Sequence, residues 1–225
     1  MPRQSIQQRL SALRAQIEDE VRACGRAPGS VRLLGVSKKQ PASAIAEAAV
    51  AGLEAIGENY VQEAAAKFRD PLLAAVHVEK HFIGHIQTNK AKAIVELFDV
   101  VQSLDRPEAA RALGAAAVRS GRVLPVLLQL NISPSERFGC PLEQAPALAE
   151  RIAAEPGLRL EGVMAIGPLD ERRDEILAAF ELAAKTFATI GGSTLSIGMS
   201  GDWREAIRAG STMVRIGTAL FGERN

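Results

Sequence analysis

Residues 195–222 read LSIGMSGDWREAIRAGSTMVRIGTALFG, and their order of strand, turn, helix, strand and turn decides how the rest of the chain is arranged. Residues 195–197 are a short apolar strand, and Gly198, Met199, Ser200 and Gly201 form a glycine-framed turn. Asp202 heads a helix running through Ile207, and aspartate is a good N-terminal capping residue. After Gly210, residues 212–216 give a second strand, and Gly217-Thr218 a second small-residue turn. Two adjacent turns of Gly, Ser and Thr offer backbone N–H groups and hydroxyls to an anion, and helix dipoles add to the attraction. In a (β/α)8 barrel, the loops after the last two strands are where phosphate usually sits. Ordinary tight turns use the same residue types, so this stretch alone leaves both readings open.

The preceding chain repeats strand and helix. Ile6, Leu10, Leu13, Ile17 and Val21 recur at helical spacing and predict an amphipathic N-terminal helix over 5–24. Strands follow at 31–37, 53–57, 81–84, 99–103, 123–130 and 160–166. Helices are expected at 41–51, 61–68, 90–97, 107–120, 141–154 and 170–189, three of them opened by Pro41, Pro107 and Pro141. About eight strand–helix units without a Ser- or Pro-rich linker make an α/β chain, most economically one closed (β/α)8 TIM barrel over residues 1–225 with an extra N-terminal helix. A doubly wound open sheet is the alternative, but it would place its glycines after the first strand, where this chain has Ser37-Lys38.

Composition narrows the function. The 225 residues are 47% hydrophobic and carry a net charge of +1, a balance that argues against a dedicated nucleic-acid or anionic-membrane binder. No apolar run approaches the ~20 residues of a membrane span, and the first 20 residues lack a signal-peptide core. The expectation is a cytoplasmic protein in which Cys24 and Cys140 stay reduced.

At the carboxyl ends of the expected strands the barrel gathers Lys38, Asn59, His85, Ser103, Asn131, Met164, Ser200 and Arg215. A lysine closing a hydrophobic strand is partly desolvated, which favours the neutral amine that attacks a carbonyl. The same lysine could equally snorkel to solvent. Paired with a phosphate cradle it suggests an aldehyde carrying phosphate, and pyridoxal 5′-phosphate (PLP) is the commonest such cofactor. Arg215, pointing to the barrel mouth, could donate to the pyridine nitrogen, which must then stay unprotonated; a strand-end ion pair is its bland alternative. His77, His81 and His85 are spaced by four, but a strand through His81 separates the rings too far to chelate, so no metal is expected.

The segments GVSKKQP (35–41), GENYVQE (57–63), HFIGHIQTNK (81–90), MAIGP (164–168), GMSGD (198–202) and STMVRIGTALFG (211–222) resemble those of the pyridoxal phosphate homeostasis protein family, in the same order. The resemblance implies an alanine-racemase-like barrel, PLP fold type III, with PLP held as an aldimine at Lys38. By motif, Ser200 and the Gly217-Thr218 turn match phosphate contacts, Arg215 the pyridine-nitrogen partner, and Asn59 and Met199 pocket-lining residues. His85 could lie against the ring, although many members carry proline there. Where many members also carry a lysine, this chain has Arg137-Phe138-Gly139, and no capture site is carried over.

Two functions compete. One is a carrier that takes part in intracellular PLP homeostasis, buffering the cofactor and passing it to PLP-dependent apoenzymes without turnover. The other is a PLP-dependent amino-acid racemase, which needs an acid–base group on each face of the substrate carbon. With Asn225 only ten residues past Arg215, no second domain is expected to supply one, and a monomer is expected. A lysine aldolase of a sugar phosphate would use the same lysine without cofactor.

Overall fold

The computed structural model describes residues 4–133, 138–168 and 171–222. Its elements run α1 (Ile6–Ala23), β1 (Arg32–Val36), α2 (Ala42–Val50), β2 (Ala55–Glu58), α3 (Val61–Lys67), α4 (Pro71–Ala74), β3 (Glu79–Phe82), α5 (Ala91–Leu97) and β4 (Val100–Leu104). They continue with α6 (Pro107–Arg119), β5 (Leu124–Asn131), β6 (Cys140–Pro141), α7 (Ala145–Ala153), β7 (Leu158–Ala165), α8 (Arg173–Ile190), β8 (Thr194–Ser196), α9 (Trp203–Arg208), β9 (Met213–Ile216) and α10 (Thr218–Phe221). All strand pairs are parallel, in the order β4-β3-β2-β1-β9-β8-β7-β5, and β4 pairs with β5 to close the ring. An open doubly wound sheet is therefore excluded, and the fold is the eight-stranded barrel.

The barrel has two unequal interiors. Most apolar side chains pack between strands and helices, as with Phe82, Val101, Val126 and Val163 against the helices that follow them. Inside the ring the described residues form a small apolar cluster of Leu34, Ala55 and Met213, with Val36 against it. Buried polar groups share that space, among them His81, Gln102, Ser196 and Arg215.

The first helix begins with a capping box. Ser5 Oγ accepts from Gln8 N–H at 3.2 Å and Gln8 Oε1 accepts from Ser5 N–H at 3.0 Å. Its expected stripe is buried, and it straddles the seam where the first and last strands meet. Arg9 Nε donates to Leu220 O at 2.6 Å, and Arg26 Nη1 to Ile207 O at 3.1 Å.

Three local expectations are corrected. Pro141 does not open a helix: its extended ψ of 143° lets Cys140 and Pro141 pair with Leu130 and Asn131 as β6. A 3-10 turn over Leu142–Gln144 follows, and the proline in the first turn of α7 is Pro146. Thr88–Lys90 likewise forms a 3-10 turn before α5. The strand expected at 53–57 begins at Ala55, because Leu53 N–H bonds back to Ala48 O at 2.8 Å.

Candidate cofactor site

Lys38, Met199, Ser200, Arg215, Gly217 and Thr218 line one pocket of about 240 Å³ at the carboxyl ends of β1, β8 and β9. Alternation along β1 delivers this: Val36 and Lys38 both line the pocket, while Lys39 is exposed. Lys39 has φ +61°, in the left-handed region that side chains larger than glycine seldom adopt. It occupies the third position of a turn closed by Gln40 N–H to Ser37 O at 3.0 Å.

A buried ion cluster holds both flanks of Lys38. Lys67 Nζ lies 2.6 Å from Glu58 Oε1, 2.8 Å from Glu63 Oε1 and 2.9 Å from Ser37 O. Ser37 Oγ donates to Glu58 Oε1 at 2.7 Å, and Lys39 N–H donates to the Glu63 carboxylate. Burial pushes the Glu58 carboxyl above the usual range, against the pull of Lys67 and Ser37. Strain at Lys39 is thus held by surrounding bonds, as such conformations at functional sites generally are. Sequence reading missed Lys67, although it continues the buried stripe of Val61 and Ala64 on α3.

Arg215 is 4% exposed. Its Nη1 donates to Ser196 O at 2.6 Å and Ser196 Oγ at 2.8 Å, and its Nη2 to Ala165 O at 2.8 Å. Those three bonds leave Nε–H and the second Nη2–H as further donors of a side chain that lines the pocket. Burial lowers the guanidinium to about 10, opposed by the Asp202 charge, so it stays protonated at neutral pH. Contrary to expectation, Asp202 does not cap α9 with its side chain; its carboxylate turns back to accept from Met199 N–H. That bond closes the 198–202 turn, and burial pushes the Asp202 carboxyl upward despite it.

Asn59, His85 and Asn131 line a second cavity of about 500 Å³ on the same face. Asn59 Oδ1 is buried without a partner. His85 is exposed and stacks on Phe138, with ring centroids 4.1 Å apart. Gly84 is required between them, since a Cβ there would stand 2.0 Å from Asn59 O. Two residues expected at the mouth lie elsewhere: Ser103 is buried, donating to Gly84 O at 2.5 Å, and Met164 is inside the barrel level with Ser196. Ile166 takes the rim position on that strand's exit. Arg137 and Asp170 fall outside the described residues. His77 is exposed and His81 buried, and among the described residues no group of three or more His, Cys, Asp or Glu is placed to hold a metal.

A family model described as the alanine racemase N-terminal domain matches residues 9–225. The pyridoxal phosphate homeostasis protein of Pseudomonas aeruginosa is 43% identical over 224 residues, spanning 98% of this chain and 96% of the relative. That of Escherichia coli K12 is 44% identical over 225 residues, spanning 94% and 95%. Among solved structures, PipY of Synechococcus elongatus with PLP bound superposes with a TM-score of 0.86 at 35% identity, covering 97% of this chain and all (100%) of that one. A Clostridium difficile alanine racemase, 12% identical with a TM-score of 0.69, shares the fold over 93% of this chain and 56% of its own. By sequence over nearly its whole length and by its barrel, the chain belongs to the pyridoxal phosphate homeostasis protein family.

Proposed function

We propose that the protein binds PLP and serves its intracellular homeostasis, buffering the free aldehyde and delivering the cofactor to apoenzymes without turning over a substrate. One observation carries this: a single pocket gathers a strand-end lysine, a buried arginine and two hydroxyl-bearing turns. The donor set fits the group. Ser200, Gly217 and Thr218 supply hydroxyls and backbone N–H for a dianion, with Lys38 and Arg215 as nearby cations. The orphaned Asn59 Oδ1, on the neighbouring cavity, is a polar atom in want of a ligand donor.

When bound, PLP supplies an electrophilic aldehyde on a pyridine ring. Lys38 is the residue to hold it, by an imine between Nζ and the aldehyde carbon with loss of water. Arg215 can only donate through the N–H groups left to it, so it would keep a facing ring nitrogen unprotonated and the ring a weak electron sink. Met199 covers the pocket wall beside Ser200. His85, at the other cavity, stands at the rim. The protein acts as a cytoplasmic monomer, with residues 1–225 as one cofactor-binding domain; no helix among the described residues is long and apolar enough to cross a membrane.

Against the racemase reading, the second cavity offers among its described lining residues one titratable side chain, His85, and that ring is stacked on Phe138. Among those lining residues, nothing besides that stacked ring offers the second acid–base group a two-base racemase needs. Exchange of the α-proton of L- and D-alanine in deuterated water is expected to match free PLP at equal concentration. Exchange well above that rate, abolished by Lys38→Ala, would make the protein an enzyme.

Ser200→Ala with Thr218→Ala is expected to weaken PLP retention and leave the fold intact, because Ser200 is an exposed turn residue and Thr218 the exposed first residue of α10. Each removes one charge-assisted hydrogen bond, worth about 1.5–3 kcal/mol. Equal loss of cofactor on dialysis of the double variant and the parent would move the phosphate site elsewhere.

A further inference from the structure

We infer that Gln102 and His81 are positioning residues for Arg215: a one-way hydrogen-bond relay down the barrel axis fixes the guanidinium at the mouth and couples it to a histidine near the opposite end. The inference rests on the role given to Arg215 above. Its direction follows from chemistry, because arginine donates and never accepts. Ser196 Oγ accepts from Arg215 Nη1 at 2.8 Å, so its own proton goes to Gln102 Oε1 at 2.7 Å. That fixes the Gln102 amide with Nε2 towards His81 Nδ1 at 2.8 Å and Met213 Sδ at 3.2 Å. His81 Nδ1 must then present a lone pair.

The proton of a neutral His81 therefore sits on Nε2, which is 3.0 Å from Glu79 Oε2. The Nε2···Oε2 contact misses hydrogen-bond geometry, but a bare Nε2 that close to a carboxylate oxygen would be repelled and an N–H there attracted. Glu79 is held at about 2 by His81 and, against its burial, by Arg32, whose Nη2 is 2.7 Å away. Every participant lies on a strand: Arg215 on β9, Ser196 on β8, Gln102 on β4, His81 and Glu79 on β3, and Arg32 on β1.

Adding a proton at Nδ1 removes the only acceptor His81 offers Gln102. The amide must turn over, Ser196 Oγ then accepts from both Gln102 Nε2 and Arg215 Nη1 while its own proton loses the Gln102 acceptor, and the bond that positions Arg215 is shared and weakened. The charged groups around His81 are Glu79 on its own strand and Arg32 on β1, with Asp99, Glu54 and His77 lining the same cavity at the barrel's lower end. Those carboxylates set what His81 feels, so acid reaches the cofactor pocket from the far side of the barrel.

The test uses the full chain without and with PLP. Nitrogen-15 NMR of histidine-labelled protein is expected to show the proton of the neutral His81 ring on Nε2. The Arg215 guanidinium N–H signals are expected to exchange slowly while that ring is neutral, and up to about tenfold faster once His81 gains its second proton, as weakening of one hydrogen bond implies. Gln102→Leu should show the fast exchange at every pH. His81→Asn, which keeps an acceptor at the Nδ1 position but does not titrate, should stay slow at every pH. In the PLP-loaded protein the visible band should shift with the His81 titration and hold constant in His81→Asn. A proton on Nδ1 in the parent protein, or Arg215 exchange indifferent to His81 titration, overturns the relay; both readings need no variant to fold. A protein with the expected His81 and Arg215 signals that takes up no PLP would instead sink the proposed function and leave the relay standing.

Discussion

Lys67→Ala lowers the unfolding free energy by about 3–5 kcal/mol, the usual cost of leaving one member of a buried ion pair alone. Its side chain is 8% exposed, and Nζ lies 2.6 Å from a Glu58 side chain with no exposure at all. Glu58 Oε2 already lacks a hydrogen-bond partner, so nothing nearby replaces the lost ammonium. The sign with pH follows. Without Lys67 the folded-state Glu58 titrates above its unfolded value of 4.5, so the part of the deficit due to Glu58 is present where that carboxylate is charged and fades as pH falls towards 4.5. Urea melts at pH 7 and pH 4 measure it. The double variant Glu58→Gln, Lys67→Met should recover most of the loss, since replacing a whole buried pair is often close to neutral. A Lys67→Ala protein within 1 kcal/mol of the parent at pH 7 would show that the cluster is solvated.

Lys38→Ala, by contrast, is expected to leave stability within about 1 kcal/mol of the parent and abolish the visible band of the PLP-bound protein. Lys38 is half-buried at a pocket wall and outside the apolar core. Borohydride treatment of the parent followed by peptide mapping should find one modified lysine, at position 38. Modification of Lys39, or of no lysine, would contradict the assignment. The two lysine variants thus separate neighbouring duties: Lys67 shapes the turn, and Lys38 bonds the cofactor.

The eight strands were legible because a parallel strand buried on both faces is a nearly continuous apolar run, as in Leu33-Leu34-Gly35-Val36 and Val126-Leu127-Leu128. The pocket residues were legible for a related reason, since each stands where such a run ends. Residues whose role depends on a partner far along the chain were not. Nothing near Gln102 says that its amide meets Ser196, 94 positions later. Nothing near Asp202 says that its carboxylate closes a turn beside Arg215 and does not cap a helix. Cys140-Pro141 was misread because a proline before an apolar helical stripe is a start signal, and the pairing that overrode it is a contact with β5.

The seam between β1 and β9 has a consequence for synthesis. Lys38 is made early, while the Arg215 guanidinium and the Ser200 and Thr218 hydroxyls beside it come from the last strands. Domains emerge from the ribosome N-terminal end first, at roughly 5–20 residues per second. For most of that interval a growing chain carries the lysine without its pocket, so an aldehyde meeting it would find an ordinary exposed amine. Ribosome-bound chains stalled before β9 should therefore hold no cofactor.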